Sequence, residues 1–293
     1  MHVVGASGAE ERVITVTDVA AEALGAFLGT DYRRTFGSGE GRRTELLESV
    51  ARTVIECIGN SDALYHNLEH TMLVALAGRD ILRGRALREQ VSSDDWLHFL
   101  IACLAHDIGY VRGALKDDED SAFVVDESGR TVDLPRGASD AALAPYHVDR
   151  SKMFVVERFR QSEIVDCARI ARMIEFTRFP APAGRNDAEL DAETGLVRAA
   201  DLIGQLGDPH YIRKANALFH EFAETGIGKT LGYDSPADLI ECYPRFFWEN
   251  VSEQIAPAIR HLNVTMEGRR WIAHLHANVF HAERSLPFAG PQA

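Results

Sequence analysis

Tyr65-His66-Asn67-Leu68-Glu69-His70 and, further along, Ala105-His106-Asp107-Ile108-Gly109 decide how this chain is read. On a helix, His66 and His70 would project from one face, one turn apart. His106 and Asp107 set an imidazole beside a carboxylate at the end of the apolar run that starts at Trp96. A further carboxylate, Asp201, sits inside Ala199-Ala200-Asp201-Leu202-Ile203. An uncompensated carboxylate is costly to bury, so Asp107 and Asp201 call for cations or a dense hydrogen-bond shell. Histidine with carboxylate is a donor set for hard or borderline divalent metals, and a bound metal would answer both needs.

Outward from these words the pattern is helical, and the expected fold class is all-α. Apolar spacing predicts a first helix over residues 17–29, a Gly- and Arg-rich connector from Arg33 to Arg43, and a helix from Thr44 to Ile58. Ser61 or Asp62 would cap the helix carrying both His66 and His70. Trp96 to His106 is apolar almost all round, which predicts a central, buried helix. Two alternating runs about Ser128-Gly129 predict a β-hairpin within an insert over 117–145, a candidate lid. Helices resume at His147–Arg160, Ile164–Phe176 and Ala192–Leu206, with a Pro/Gly/Asn loop over Pro180–Asp187. Pro209, then Ser235-Pro236, start further helices, and a last one covers Glu267 to Glu283. No repeat or linker divides residues 1–293, so one domain is expected.

Composition narrows the function. The net charge of −13, from 31 basic and 44 acidic residues, disfavours a general nucleic-acid or anionic-membrane surface. A phosphorylated small molecule stays compatible, because bound cations reverse the field inside a cleft. Cys57, Cys103, Cys167 and Cys242 are scattered without a CxxC, which fits a reducing, cytoplasmic compartment. Met1 to Glu11 lacks the basic-then-apolar pattern of a signal peptide, and no apolar run reaches the ~20 residues of a membrane span.

Taken together, Tyr65-His66-Asn67-x-x-His70, Ala105-His106-Asp107-x-Gly109 and Asp201 resemble the HD-domain metal-dependent phosphohydrolase superfamily. The first word further resembles the catalytic domains of class I 3′,5′-cyclic nucleotide phosphodiesterases. The resemblance covers roughly residues 50–210. It implies an HD-type helical bundle with its core at about 44–210 and C-terminal helices over 211–285. It also implies two divalent ions (Zn, Mn, Fe or Mg), with His70, His106, Asp107 and Asp201 on the first and Asp107 bridging to the second. His66 matches the proton donor to the leaving alkoxide. Asn67 would hydrogen-bond beside the ligands or substrate, and His147 would meet the second metal or the phosphate. Arg150 is read either as a phosphate contact or as a surface ion pair.

The implied activity is hydrolysis of a cyclic nucleotide or similar small phosphodiester. The alternatives are a nucleotide phosphomonoesterase, a di-iron oxygenase drawing on His147 with Glu69 or Glu175, and a silent nucleotide sensor. The oligomeric state is open, a homodimer included. Two departures from the phosphodiesterase pattern stand out. Ile108-Gly109-Tyr110 replaces the usual His-Pro-Gly, and the purine-holding glutamine has no clear match, Gln254 after Phe246-Phe247-Trp248 being a candidate. Gly226-Ile227-Gly228-Lys229-Thr230 mimics the end of a P-loop without the glycine the motif needs at position 223, which is Ala.

Overall fold

Apolar positions at helical spacing produce helices throughout this computed structural model, which describes residues 13–179 and 192–285. The expected loop over Pro180–Asp187 and the reading of Met1–Glu11 lie outside the described residues. In chain order the helices begin with α1 (Val16–Phe36), α2 (Gly41–Ile58), α3 (Leu68–Ala86), α4 (Ser93–Ala105), α5 (His147–Phe159) and α6 (Cys167–Glu175). They continue with α7 (Glu193–Leu206), α8 (Tyr211–Thr225), α9 (Ile227–Leu231), α10 (Pro236–Phe246), α11 (Ser252–Leu262) and α12 (Met266–Ser285). The fold is all-α with one small hairpin, as expected. No helix among the described residues is long and apolar enough to cross a membrane.

Helix α4 is the axis. Ser92 and Asp95 close a capping box at its start, and every residue from Trp96 to Ala105 is buried. A helix apolar on all sides must be covered on all sides, and α2, α3, α6 and α7 pack around this one. Its last turn therefore delivers His106 and Asp107 to the centre of the molecule. Helices α3 and α7 form an extensive contact beside it. Gly204 permits that approach, because a Cβ there would lie 2.8 Å from the backbone of Val74. This close crossing brings Asp201 of α7 against His70 of α3.

Where boundaries differ from expectation, local hydrogen bonding gives the reason. α1 runs on to Phe36 because its last turns are buried at Leu28 and Tyr32, and Gly37 then turns the chain at φ 87°. α3 starts at Leu68, capped by Asn67 and not by Ser61 or Asp62. The Asn67 Oδ1 accepts from the backbone N–H of Glu69 at 2.9 Å, while its Nδ2 donates to the Leu64 carbonyl, also at 2.9 Å. His66 thus lies before the helix, so the shared helical face expected for His66 and His70 does not form.

The insert does contain a hairpin, β1 (Ala122–Val124) paired antiparallel with β2 (Thr131–Asp133), Phe123 opposite Val132. It is pinned to α5 by Arg150, whose side chain is wholly buried, so Arg150 is neither a phosphate contact nor a surface pair. The guanidinium donates to Asp118 Oδ2 at 2.8 Å and to the carbonyls of Gly109, Val111 and Val124. With every direction of the guanidinium spent on protein acceptors, none is left for a substrate. Arg150→Met is expected to destabilise the fold by about 3–5 kcal/mol in urea unfolding, since it leaves Asp118 buried without its charge partner, held only by the backbone N–H groups of Gly113, Leu115 and Val124. Arg150→Lys should recover part of that loss by keeping a charge beside Asp118; a loss equal to that of Arg150→Met would assign the effect to the guanidinium's carbonyl contacts instead.

Candidate metal centre

Five side chains from four elements meet at the C-terminal end of α4: His66, His70, His106, Asp107 and Asp201. His70 Nε2 lies 3.2 Å from Asp107 Oδ2 and 3.4 Å from Asp201 Oδ1. His106 Nε2 lies 3.1 Å and 3.5 Å from the same two atoms. Yet His70 Nε2, His106 Nε2 and Asp107 Oδ2 are buried without an aligned hydrogen bond to any described residue. Three orphaned atoms converging on one point are what a cation would satisfy, and the donor set fits a divalent ion. His70, His106 and Asp201 form one group able to hold a metal, and His66, His70 and Asp107 another.

His147 approaches from the opposite side of Asp107, its Nε2 3.7 Å from Oδ1. His106 and His147 are oriented alike. His106 Nδ1 contacts the Cys103 carbonyl at 2.9 Å and His147 Nδ1 the Ala144 carbonyl at 2.6 Å. A carbonyl can only accept, so each Nδ1 carries a proton and each Nε2 is the atom turned toward Asp107. The two oxygens of Asp107 therefore face two separate sets of imidazoles.

The surrounding backbone is built for this. Ser151 of α5 donates to the His106 carbonyl at 2.6 Å and accepts from Gly109 N–H at 2.9 Å. A side chain at position 109 is impossible without moving α5, because a Cβ would lie 2.0 Å from the His147 carbonyl oxygen. That accounts for the glycine after His-Asp. Tyr110, which follows it, stacks on His66 with centroids 4.6 Å apart and on His147 at 4.5 Å. The departure from His-Pro-Gly is thus filled by a ring wedged between two histidines.

Electrostatics follow from burial among opposite charges. Burial works against the charge on His106, but Asp107 and Asp201 draw its pKa well above the ordinary imidazole value. Burial alone would raise the carboxyls, yet the histidines hold Asp107 and Asp201 well below the usual range. His147 goes the other way: burial outweighs the pull of Asp107 and keeps it neutral, as a ligand must be.

Glu221 of α8 is the residue the sequence reading missed. Its Oε1 accepts from the backbone N–H of Tyr65 at 2.6 Å and of His66 at 3.2 Å, and its Oε2 sits 2.5 Å from His66 Nδ1. Against the cost of burial, Glu221 together with Asp107 and Asp201 lifts the His66 pKa to about 9. A signal existed, since α8 buries Tyr211, Ala215, Leu218 and Glu221 at helical spacing, a carboxylate on an apolar stripe.

Other expected residues fall elsewhere. Asn67 is used as the α3 cap and does not line the cavity beside Asp107. Glu69 is half-exposed and paired with Lys214 at 2.9 Å, and Glu175 is paired with Lys152 and Arg178, so neither joins the centre. Gln254 accepts from Arg198 and donates to the Asn250 carbonyl, off the wall of the cavity that opens from Asp107 and Asp201. Of the insert over 117–145, Ala144 alone among the described residues lines that cavity. Its cover comes instead from α8, α9 and α10, through residues such as Phe222, Ile227 and Tyr243.

The Npun_R2479-like family model matches residues 14–285, nearly all the described chain, and the protein belongs to that family. Searches of curated proteins and of solved structures returned no match.

The orphaned ligand atoms generate a direct prediction. Mn²⁺ or Zn²⁺ at a hundredfold excess over Kd should stabilise the folded protein by about 2.7 kcal/mol. Scanning calorimetry should show the rise in Tm for the wild type and its loss in Asp107→Asn. An equal rise in both would place the ion elsewhere.

Proposed function

We propose that the protein is an HD-type, metal-dependent phosphohydrolase, and specifically a phosphodiesterase for a 3′,5′-cyclic nucleotide or a similar small phosphodiester. The reading is carried by one observation: a buried carboxylate, Asp107, with imidazoles facing both its oxygens, and beside it a further histidine, His66, whose Nδ1 is engaged by Glu221. Divalent ions held by His70, His106, Asp107 and Asp201, with His147 on the far side of Asp107, would supply positive charge for the phosphoryl oxygens and an acidified water.

The chain's own contribution is proton control. Glu221 fixes His66 Nδ1, leaving Nε2 for the cavity, and its carboxylate favours the imidazolium form. When water adds to phosphorus and the P–O bond to the organic group breaks, the departing oxygen needs a proton, and His66 Nε2 is placed to give it. Tyr110 limits rotation of the His66 ring by stacking on it. A sensor would have no use for this donor. The two glutamates that an oxygenase would draw upon are bound to Lys and Arg. The partner is accordingly a small phosphorylated molecule, and the unbridged cysteines are in keeping with a cytoplasmic setting.

Metal-loaded protein should hydrolyse cyclic AMP, cyclic GMP or bis(4-nitrophenyl) phosphate in preference to nucleoside monophosphates. His66→Ala should lower kcat by about 10²–10⁴-fold without changing metal content. Glu221→Gln should lower it less, because the imidazole remains. Turnover confined to monoesters would replace the diesterase reading with the phosphomonoesterase one.

A further inference from the structure

The cavity does not end at the metal centre. Beyond Asp107, Asp201 and His66 it continues into a chamber walled by α7, α8 and α10, with Leu206, Leu218, Phe222, Leu239, Tyr243 and Phe246 among its lining residues. Its polar groups are largely spent on one another. Arg198, the one Lys or Arg on the wall among the described residues, donates to Gln254 and to the carbonyls of Phe176 and Arg178. Gln205 is hydrogen-bonded to the Tyr211 hydroxyl. The chamber therefore offers no ready counter-charge for further phosphates.

Among the described residues, one wholly buried hydroxyl on this wall lacks a partner. Tyr243 is 1% exposed, and its hydroxyl has no hydrogen-bond partner among the described residues. Its ring is set by Tyr211, centroids 4.8 Å apart, and by Phe247 at 6.2 Å. A buried hydroxyl without a partner is destabilising unless a ligand or water completes it. Burial raises the Tyr243 pKa far above that of a free phenol, so the group is a hydrogen-bond donor at any physiological pH.

We propose that this chamber is the site for the substrate's organic group, an uncharged and largely apolar ring carrying one hydrogen-bond acceptor that meets Tyr243 Oη, with a single phosphate at the metal centre. The assignment rests on the phosphohydrolase reading for the phosphate end only. The chamber itself follows from its lining and from the orphaned hydroxyl. Tyr243 is a binding residue, remote from the reacting phosphorus.

Phosphonates test this without turnover, because their C–P bond is not hydrolysed. Calorimetric titration of Mn²⁺-loaded protein with methylphosphonate, phenylphosphonate and 4-acetylphenylphosphonate should give about tenfold tighter binding for phenyl than methyl, and a further gain of about fivefold for acetylphenyl. Tyr243→Phe should remove the acetyl gain and leave phenylphosphonate unchanged; unaltered metal content and Tm would show that the variant is folded. Equal affinities for methyl and aryl, no binding of any of the three, or an acetyl gain that survives Tyr243→Phe would overturn the assignment. Aryl preference without phosphoester turnover would remove the hydrolase reading and keep the chamber. Turnover without aryl preference would do the reverse.

Discussion

Everything in this molecule is arranged around the need to hold the Asp107 carboxylate, charged, inside an apolar core. Isolated, a buried carboxylate would take up a proton. Here His106, His70 and His66 keep it ionised, while neutral His147 stands 3.7 Å from its other oxygen. The carbonyls of Cys103 and Ala144 orient two of these rings from behind, so that each Nε2 is turned toward a different oxygen of Asp107. Three buried atoms of the cluster find no aligned partner among the described residues.

The scaffold explains how flexible side chains are held to such a geometry. His106 and Asp107 leave the end of a helix that has no exposed face and so no freedom to shift. Ser151 and Arg150 of α5 fasten the backbone just beyond them, and the absence of a Cβ at Gly109 lets α5 come that close. Gly204 does the same for the crossing of α3 and α7. Charged residues are buried here for positioning as much as for stability: Arg150 and Asp118 bind the hairpin and the His-Asp turn to one helix, Asp118 also accepting from the backbone N–H groups of Gly113, Leu115 and Val124. Glu221 extends this scheme across the cavity, reaching from α8 to fix a histidine that belongs to no helix.

Much of this was legible in the sequence because it follows from local periodicity. The all-apolar run from Trp96 announced a central helix, and Ser235-Pro236 announced the start of another. The carboxylates at 107 and 201, set in apolar runs, marked two members of the cluster that His70 and His106 join. What sequence could not give were the long-range partners. Arg150 reads as an ordinary charge on an amphipathic helix until four acceptors from three other segments are seen around it. Asn67 reads as a site residue because it adjoins His66, yet its side chain is used up closing the first turn of α3. The 117–145 insert was expected over the site by its length, whereas Arg150 ties it to the outside of α5 and the aromatic faces of α8 and α10 close the cavity. Tyr110 stood in plain view as a departure from the phosphodiesterase pattern, but its stacking between two histidines separated in sequence needed the fold.

The central claim, that Asp107 is shared between two cation positions, is tested most directly by a crystal structure of the metal-loaded protein with anomalous data at the metal edge. The account predicts two anomalous peaks flanking the Asp107 carboxylate, one among His70, His106 and Asp201 and one on the His147 side. A peak bound away from Asp107, or none within this cluster at saturating metal, would contradict it.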